Sequence, residues 1–321
     1  MTESICRVAG QGAYLPERVL TNAEISTFVD TSDEWIRART GISERRIADE
    51  SQTTSDLGYQ AAKAALADAG LDANDIDLIV VATTTADLVF PSTAALIQDR
   101  LGLRQGAAFD VQAVCSGFIY ALAVADGLLK GGVFNRALVI GAETMSRILD
   151  WEDRSTCVLF GDGAGAWVLE RSQEGNSGLL GYDLRCEGRY TPLLKTTGGV
   201  SATKTSGFLT MEGPAVFKHA VKKISNSMER LLEREAIDIA DIDWFVPHQA
   251  NQRILEGVAD KLKISRDKVV STVARHGNTS AASVPLAFHQ AVADGRIQRG
   301  HLCLLEALGG GLTWGSALVR F

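Results

Sequence analysis

The sequence is poor in the features that mark special classes of protein. Its five cysteines (Cys6, Cys115, Cys157, Cys186, Cys303) are odd in number and scattered, with no C-x-x-C pair. That argues against a disulfide framework or a structural zinc site, and it predicts a reducing, cytoplasmic setting with no metal centre. No stretch approaches the ~20 apolar residues of a membrane span. The first twenty residues lack the basic start and apolar core of a signal peptide. A basic excess is absent too: 32 Lys and Arg against 39 Asp and Glu give a formal net charge of -7. A nucleic-acid partner for the whole surface is unexpected, and an acidic partner needs a local basic patch. What remains, 46% hydrophobic and 22% charged, is ordinary globular composition, enough for one large or two medium domains.

The chain is organised around F-D-V-Q-A-V-C-S-G at 109–117. A strand is expected over 109–114, then a corner at Cys115, then a helix over 118–130 that is apolar on nearly every face and therefore buried. Backbone N–H groups at such a corner can bind an oxyanion, and the helix dipole favours a thiolate. Cys115 is thus either a nucleophile or a small buried core residue.

Other elements follow from pattern. A first strand is expected over 8–14. Capping boxes at 21–24 and 31–34 open helices. Ser55 is expected to cap a helix that Gly70 stops. Residues 77–83 and 137–141 read as buried strands with a helix over 94–101 between them. The segment 161–170 matches G-x-G-x-x-A, but Trp167-Val168-Leu169 continue it as a strand, so a glycine-rich turn between strands is the reading, not a dinucleotide site. A surface excursion with short strands is expected over 175–207. A long helix over 214–235 carries an apolar stripe and, on its other face, Lys218, Lys222 and Lys223. The arginines at 37, 39, 45 and 46 beside Trp35 read as a solvated loop, with a nucleotide-binding rim as the sharper alternative.

The second half repeats the first. D-I-D-L-I-V at 75–80 is matched by D-I-D-W-F-V at 241–246, A-V-A-D-G at 123–127 by the same letters at 291–295, and strand 137–140 by 302–305. The offsets of 166, 168 and 165 residues predict a duplicated α/β unit with halves at 1–171 and 172–321. His248 then lies just past a strand's C-terminal end, where open sheets bind ligands. Asn278 falls in the part of its copy that corresponds to 111–115. Cys115, His248 and Asn278 are expected around one cavity, the alternatives being a core His and a capping Asn. Gly309-Gly310-Gly311 expose backbone N–H groups, one of which could complete an oxyanion hole with the Cys115 N–H.

A-V-C-S-G-F, V-P-H-Q-A-N-Q-R-I, R-H-G-N-T-S-A-A-S-V-P and A-L-G-G-G-L-T-W-G-S-A-L-V-R-F resemble the β-ketoacyl-acyl-carrier-protein synthase III family across the whole chain. The resemblance implies a thiolase-like fold, two duplicated α/β halves in an α-β-α-β-α sandwich. It implies a condensing enzyme that starts type II fatty-acid synthesis without a cofactor. Cys115 would take an acyl group, usually acetyl, from acyl-CoA. His248 and Asn278 would stabilise the enolate left when malonyl-ACP loses carbon dioxide. Cys115 and Gly310 would form the oxyanion hole. Trp35, Arg39 and Arg154 would bind CoA, with the adenine between Trp35 and Arg154. Gln249, Ala250, Asn251, Gln252 and Arg253, with Lys218, would dock the acyl carrier protein. Phe90 would reach the acyl pocket of a second subunit in a homodimer. Leu308 stands where the family often has Phe, so primer choice is expected to differ. The alternative is a same-fold enzyme for unusual starters in a secondary pathway. Glu306 is expected to be structural, a buried carboxylate bonded to backbone.

Overall fold

The computed structural model describes residues 5–172 and 177–321, so the start of the expected 175–207 excursion lies outside the described residues. Two sheets organise the chain. In the first, Ile5–Tyr14, Asp162–Ser172, Arg136–Thr144, Leu78–Ala82 and Ala107–Val111 lie side by side in that order. The second orders Gly178–Cys186, Thr313–Arg320, Leu302–Gly309 and Trp244–Pro247. A parallel bridge from Phe245 to Val269 stands where a fifth strand would be. The sequences of parallel and antiparallel pairings match strand for strand.

The residues dictate the layers. In Leu78–Ala82 every residue is buried; Leu78, Val80 and Ala82 join one core, and Ile79 and Val81 another. A strand buried on both faces must be covered on both faces. Helices Gly117–Lys130 and Ser283–Ala293 fill the middle, sharing a core with both sheets through Phe118, Ile119, Val284 and Phe288. Helix Thr54–Ala69 covers the first sheet's outer face, and Gly213–Glu235 covers the second's. This is the thiolase-like α-β-α-β-α sandwich. Among the described residues no helix is long and apolar enough to cross a membrane.

Several expectations are corrected. The strand before Cys115 ends at Val111, and Val114–Ser116 form a single 3-10 turn before the helix. Val124, on the expected all-buried helix, is exposed. The second helix is capped by Ser32, whose hydroxyl accepts the Trp35 N–H, and the third by Thr53 with Asp56, not by Ser55. Gly163 and Gly165 lie inside a strand, not a turn. A Cβ on Gly165 would stand 2.7 Å from Pro285, so the absent side chains let helix Ser283–Ala293 settle onto the sheet. Gly178–Cys186 is a nine-residue strand of the second sheet, not a short strand of a surface excursion. Arg45 is fully buried, donating to Leu20 O, Asn22 Oδ1 and Val158 O, so it belongs to no solvated rim.

Candidate active site

Two chain corners meet at the centre. Val114 and Ser280, 166 residues apart, both carry positive φ, 49° and 48°. Each opens a three-residue 3-10 turn that runs into a middle-layer helix. The left-handed conformation is costly for a branched residue, and it turns the chain sharply into the helix. The next residue is Cys115 in the first corner and Ala281 in the second. Asn278 precedes the second turn. Its N–H donates to Leu159 O at 2.9 Å, and its carbonyl accepts the Gly161 N–H at 3.0 Å. Its Oδ1 accepts the Ser280 N–H at 2.9 Å, which fixes the amide and leaves its NH2 end as the donor.

Cys115, His248, Asn278, Glu306 and Leu308 line a single cavity of about 480 Å³. The rest of the wall is largely apolar, including Met145, Leu159, Phe160, Leu194, Leu209 and Ile224. Burial dominates the electrostatics. It pushes the Cys115 thiol up to about 12, with Glu143 adding to the rise while the Ser280 hydroxyl and the cysteine's own N–H oppose it. The sequence points to a thiol lowered by the helix end; burial raises it instead. Burial also lowers His248 to about 3, so the imidazole is neutral at physiological pH. The His248 backbone N–H donates to the Glu306 carbonyl at 2.9 Å, while the ring Nδ1 is buried without a partner.

Of the three glycines, Gly309 approaches the Cys115 corner; a Cβ there would stand 2.6 Å from Cys115 N. Gly310 follows, and a Cβ on it would meet Leu194 O at 2.8 Å. Arg39, Ala250, Asn251 and Arg253 line the same cavity. Arg39 and Arg154 stand over Trp35, 4.8 and 5.0 Å from its ring. Trp35 shares a side pocket with Ser155, Met211, Gly213 and Pro214, which also line the main cavity, so the two are continuous. Arg253 and Lys218 are exposed, and among the described residues neither has an ion-pair partner, nor do Arg39 and Arg154.

Three further expected residues stand apart from this cavity's wall. Gln249 does not reach the surface. Its amide nitrogen donates to Pro247 O and Val270 O, and its oxygen accepts the Thr272 and Val273 N–H groups, so it braces the loop and cannot dock a partner. Gln252 is bonded to Glu256 and Ser271. Phe90 is 83% exposed, beside exposed Leu88 and Val89, and is not in the cavity wall.

Two residues escaped the sequence. Glu143 accepts from Thr83, the Thr84 and Thr85 N–H groups, the Thr85 hydroxyl and Ser280, tying the first sheet to the second corner. An acid closing an apolar strand was its only signal. Ser280, beside the thiol, gave none.

The 3-oxoacyl-acyl-carrier-protein (ACP) synthase III family matches residues 109–188, and its C-terminal part matches 232–321. The chain is 58% identical to beta-ketoacyl-acyl-carrier-protein synthase III of Bradyrhizobium diazoefficiens, covering 100% of both chains. It is likewise 58% identical to that of Caulobacter vibrioides over 98% of both. The crystal structure of 3-oxoacyl-acyl-carrier-protein synthase III from Aquifex aeolicus superposes with a TM-score of 0.94 at 47% identity, covering 98% of this chain and 100% of that one. With this agreement along its whole length, the chain belongs to the β-ketoacyl-acyl-carrier-protein synthase III family.

Proposed function

We propose that the protein is the condensing enzyme that starts type II fatty-acid synthesis. The carrying observation is one thiol, one neutral imidazole and one oriented carboxamide on the wall of a single apolar cavity. In the first half-reaction Cys115 Sγ attacks the carbonyl of an acyl-CoA, acetyl-CoA being the expected primer. The C–S bond to CoA breaks, and the thiol proton leaves with the CoA sulfur. In the second, malonyl-ACP loses carbon dioxide. His248 and the Asn278 NH2 donate to the thioester oxygen as it becomes an enolate; neutral donors suit an oxygen that gains charge only in the transition state. The enolate carbon attacks the acyl-cysteine, whose oxyanion is held by the Cys115 and Gly310 N–H groups. The Cys115 thiolate leaves and takes up one proton. No step calls for a metal or redox cofactor.

CoA fits along the continuous path from Trp35 to Cys115, its adenine entering between the Trp35 indole and the Arg154 guanidinium. Arg253, Lys218 and Arg39 supply the local basic patch an acidic carrier protein requires; Ala250 and Asn251 lie beneath it. Exposed Phe90 and its apolar neighbours suit a homodimer in which Phe90 enters the partner's acyl pocket. Leu308, in the cavity wall, tunes primer choice. The halves divide at 171/172.

The test is intact mass of the enzyme after brief exposure to an equimolar mixture of straight and branched acyl-CoAs, with peptide mapping. An acetyl adduct on Cys115 is expected. A longer or branched adduct there would keep the chemistry and change the primer. No adduct on Cys115 would sink the reading.

A further inference from the structure

Among the described residues Glu306 is the one acid in the cavity wall, 1% exposed, and its Oε2 is buried without a partner. Beside it, His248 Nδ1 is in the same condition. The two residues are neighbours by construction: Pro247 pairs with Glu306 across parallel strands, and the His248 N–H donates to the Glu306 carbonyl. Two orphaned buried polar atoms in one place call for a shared partner. No direct bond joins them, and the cavity that both line can supply one bridging water.

We propose that Glu306, in its protonated form, is the positioning residue of His248. Through that water it donates towards Nδ1, so the imidazole carries its proton on Nε2 and presents it to the malonyl thioester oxygen. The inference rests on the role proposed above for His248. Burial supports it by raising the Glu306 carboxyl to about 8, which keeps it a donor at neutral pH. Above that pH the carboxylate would accept from Nδ1–H, and Nε2 would lose the proton the enolate needs. Of the other titratable groups nearby, Cys115 and His248 share the cavity wall. Cys115, at the nucleophile corner, stands at about 12 and His248 at about 3. On the covering helix Lys223 is paired with Glu187; behind Ser316, Arg230 is paired with Asp183.

The experiment separates the two half-reactions. Cys115 acylation is followed by mass, and malonyl-ACP decarboxylation by carbon dioxide release from pH 6 to 9.5, for the parent, Glu306→Gln, Glu306→Leu, His248→Ala and the His248→Ala/Glu306→Leu pair. The parent is expected to lose decarboxylation with a one-proton limb near pH 8. Gln, a donor at every pH, should keep most of the rate and erase the limb. Leu should acylate normally yet decarboxylate at least tenfold more slowly, and add nothing in the His248→Ala background. A Leu variant that decarboxylates like the parent, a limb that survives in Gln, or an additive double variant overturns the inference. If His248→Ala itself decarboxylates normally, the enolate role of His248 falls instead. Normal acylation in each variant confirms that it has folded.

Discussion

The two corners at Val114 and Ser280 are built alike and used differently. Both have a left-handed residue, a short 3-10 turn and a middle-layer helix. Each is also pressed against a glycine from the other half. Gly309 meets Cys115, and Gly141 meets Ala281, whose carbonyl would be 2.3 Å from a Cβ there. The backbone is thus a shared inheritance, while the chemistry is divided: the first corner holds a thiol, the second an alanine with Asn278 just upstream. Geometry was duplicated whole, and a site needs only one nucleophile.

The sharpest way to break that comparison is to remove its one chemical asymmetry. Cys115→Ser should abolish acylation by acyl-CoA, read by mass; an adduct appearing at another residue would show that the wrong corner was chosen. Next come the donors of the second half. His248→Ala or Asn278→Ala should still acylate but lose malonyl decarboxylation by a factor on the order of 10², the usual value of one oxyanion donor. Retention of near-parent decarboxylation in both would remove the enolate site.

Smaller effects sharpen the symmetry itself. Gly309→Ala and Gly141→Ala each force a Cβ into the opposing backbone, so both should lower stability by roughly 1–3 kcal/mol as overpacked sites do. Only Gly309→Ala should also slow Cys115 acylation severalfold, because only it moves the nucleophile. Equal acylation in the two variants would mean the corner position does not matter to attack. Ala281→Ser is expected to do least, a loss of about 1 kcal/mol for a buried hydroxyl and no acylation at position 281. Acylation there would mean the second corner is chemically competent after all.

Much of this was legible because the duplication is written in letters. D-I-D-L-I-V and D-I-D-W-F-V gave the equivalent strands, and the corner glycine and cysteine gave the nucleophile's setting. Other parts were not. The strand Gly178–Cys186 has a mixed burial pattern and follows a polar stretch, so its place beside Thr313–Arg320 is fixed by tertiary pairing. Gln249 reads as surface in a polar run, yet its amide satisfies four backbone groups in the interior. The Cys115 thiol was expected to fall and instead rises, because the depth of burial is a property of five layers and not of the nine residues around it. Phe90 shows the same limit from outside: its sequence context is ordinary, and only the structure reveals three consecutive large apolar residues in solvent.

The glycines at the junction of the two halves carry one more consequence. Gly165 against Pro285, Gly141 against Ala281 and Gly309 against Cys115 set the spacing of the site by main-chain contact. Side-chain drift over generations cannot widen or narrow that frame without a clash. Diversity is left to the wall, at Leu308, Leu194, Leu209 and Met145. A lineage can therefore reshape the cavity one residue at a time, while the corner that holds Cys115 stays fixed.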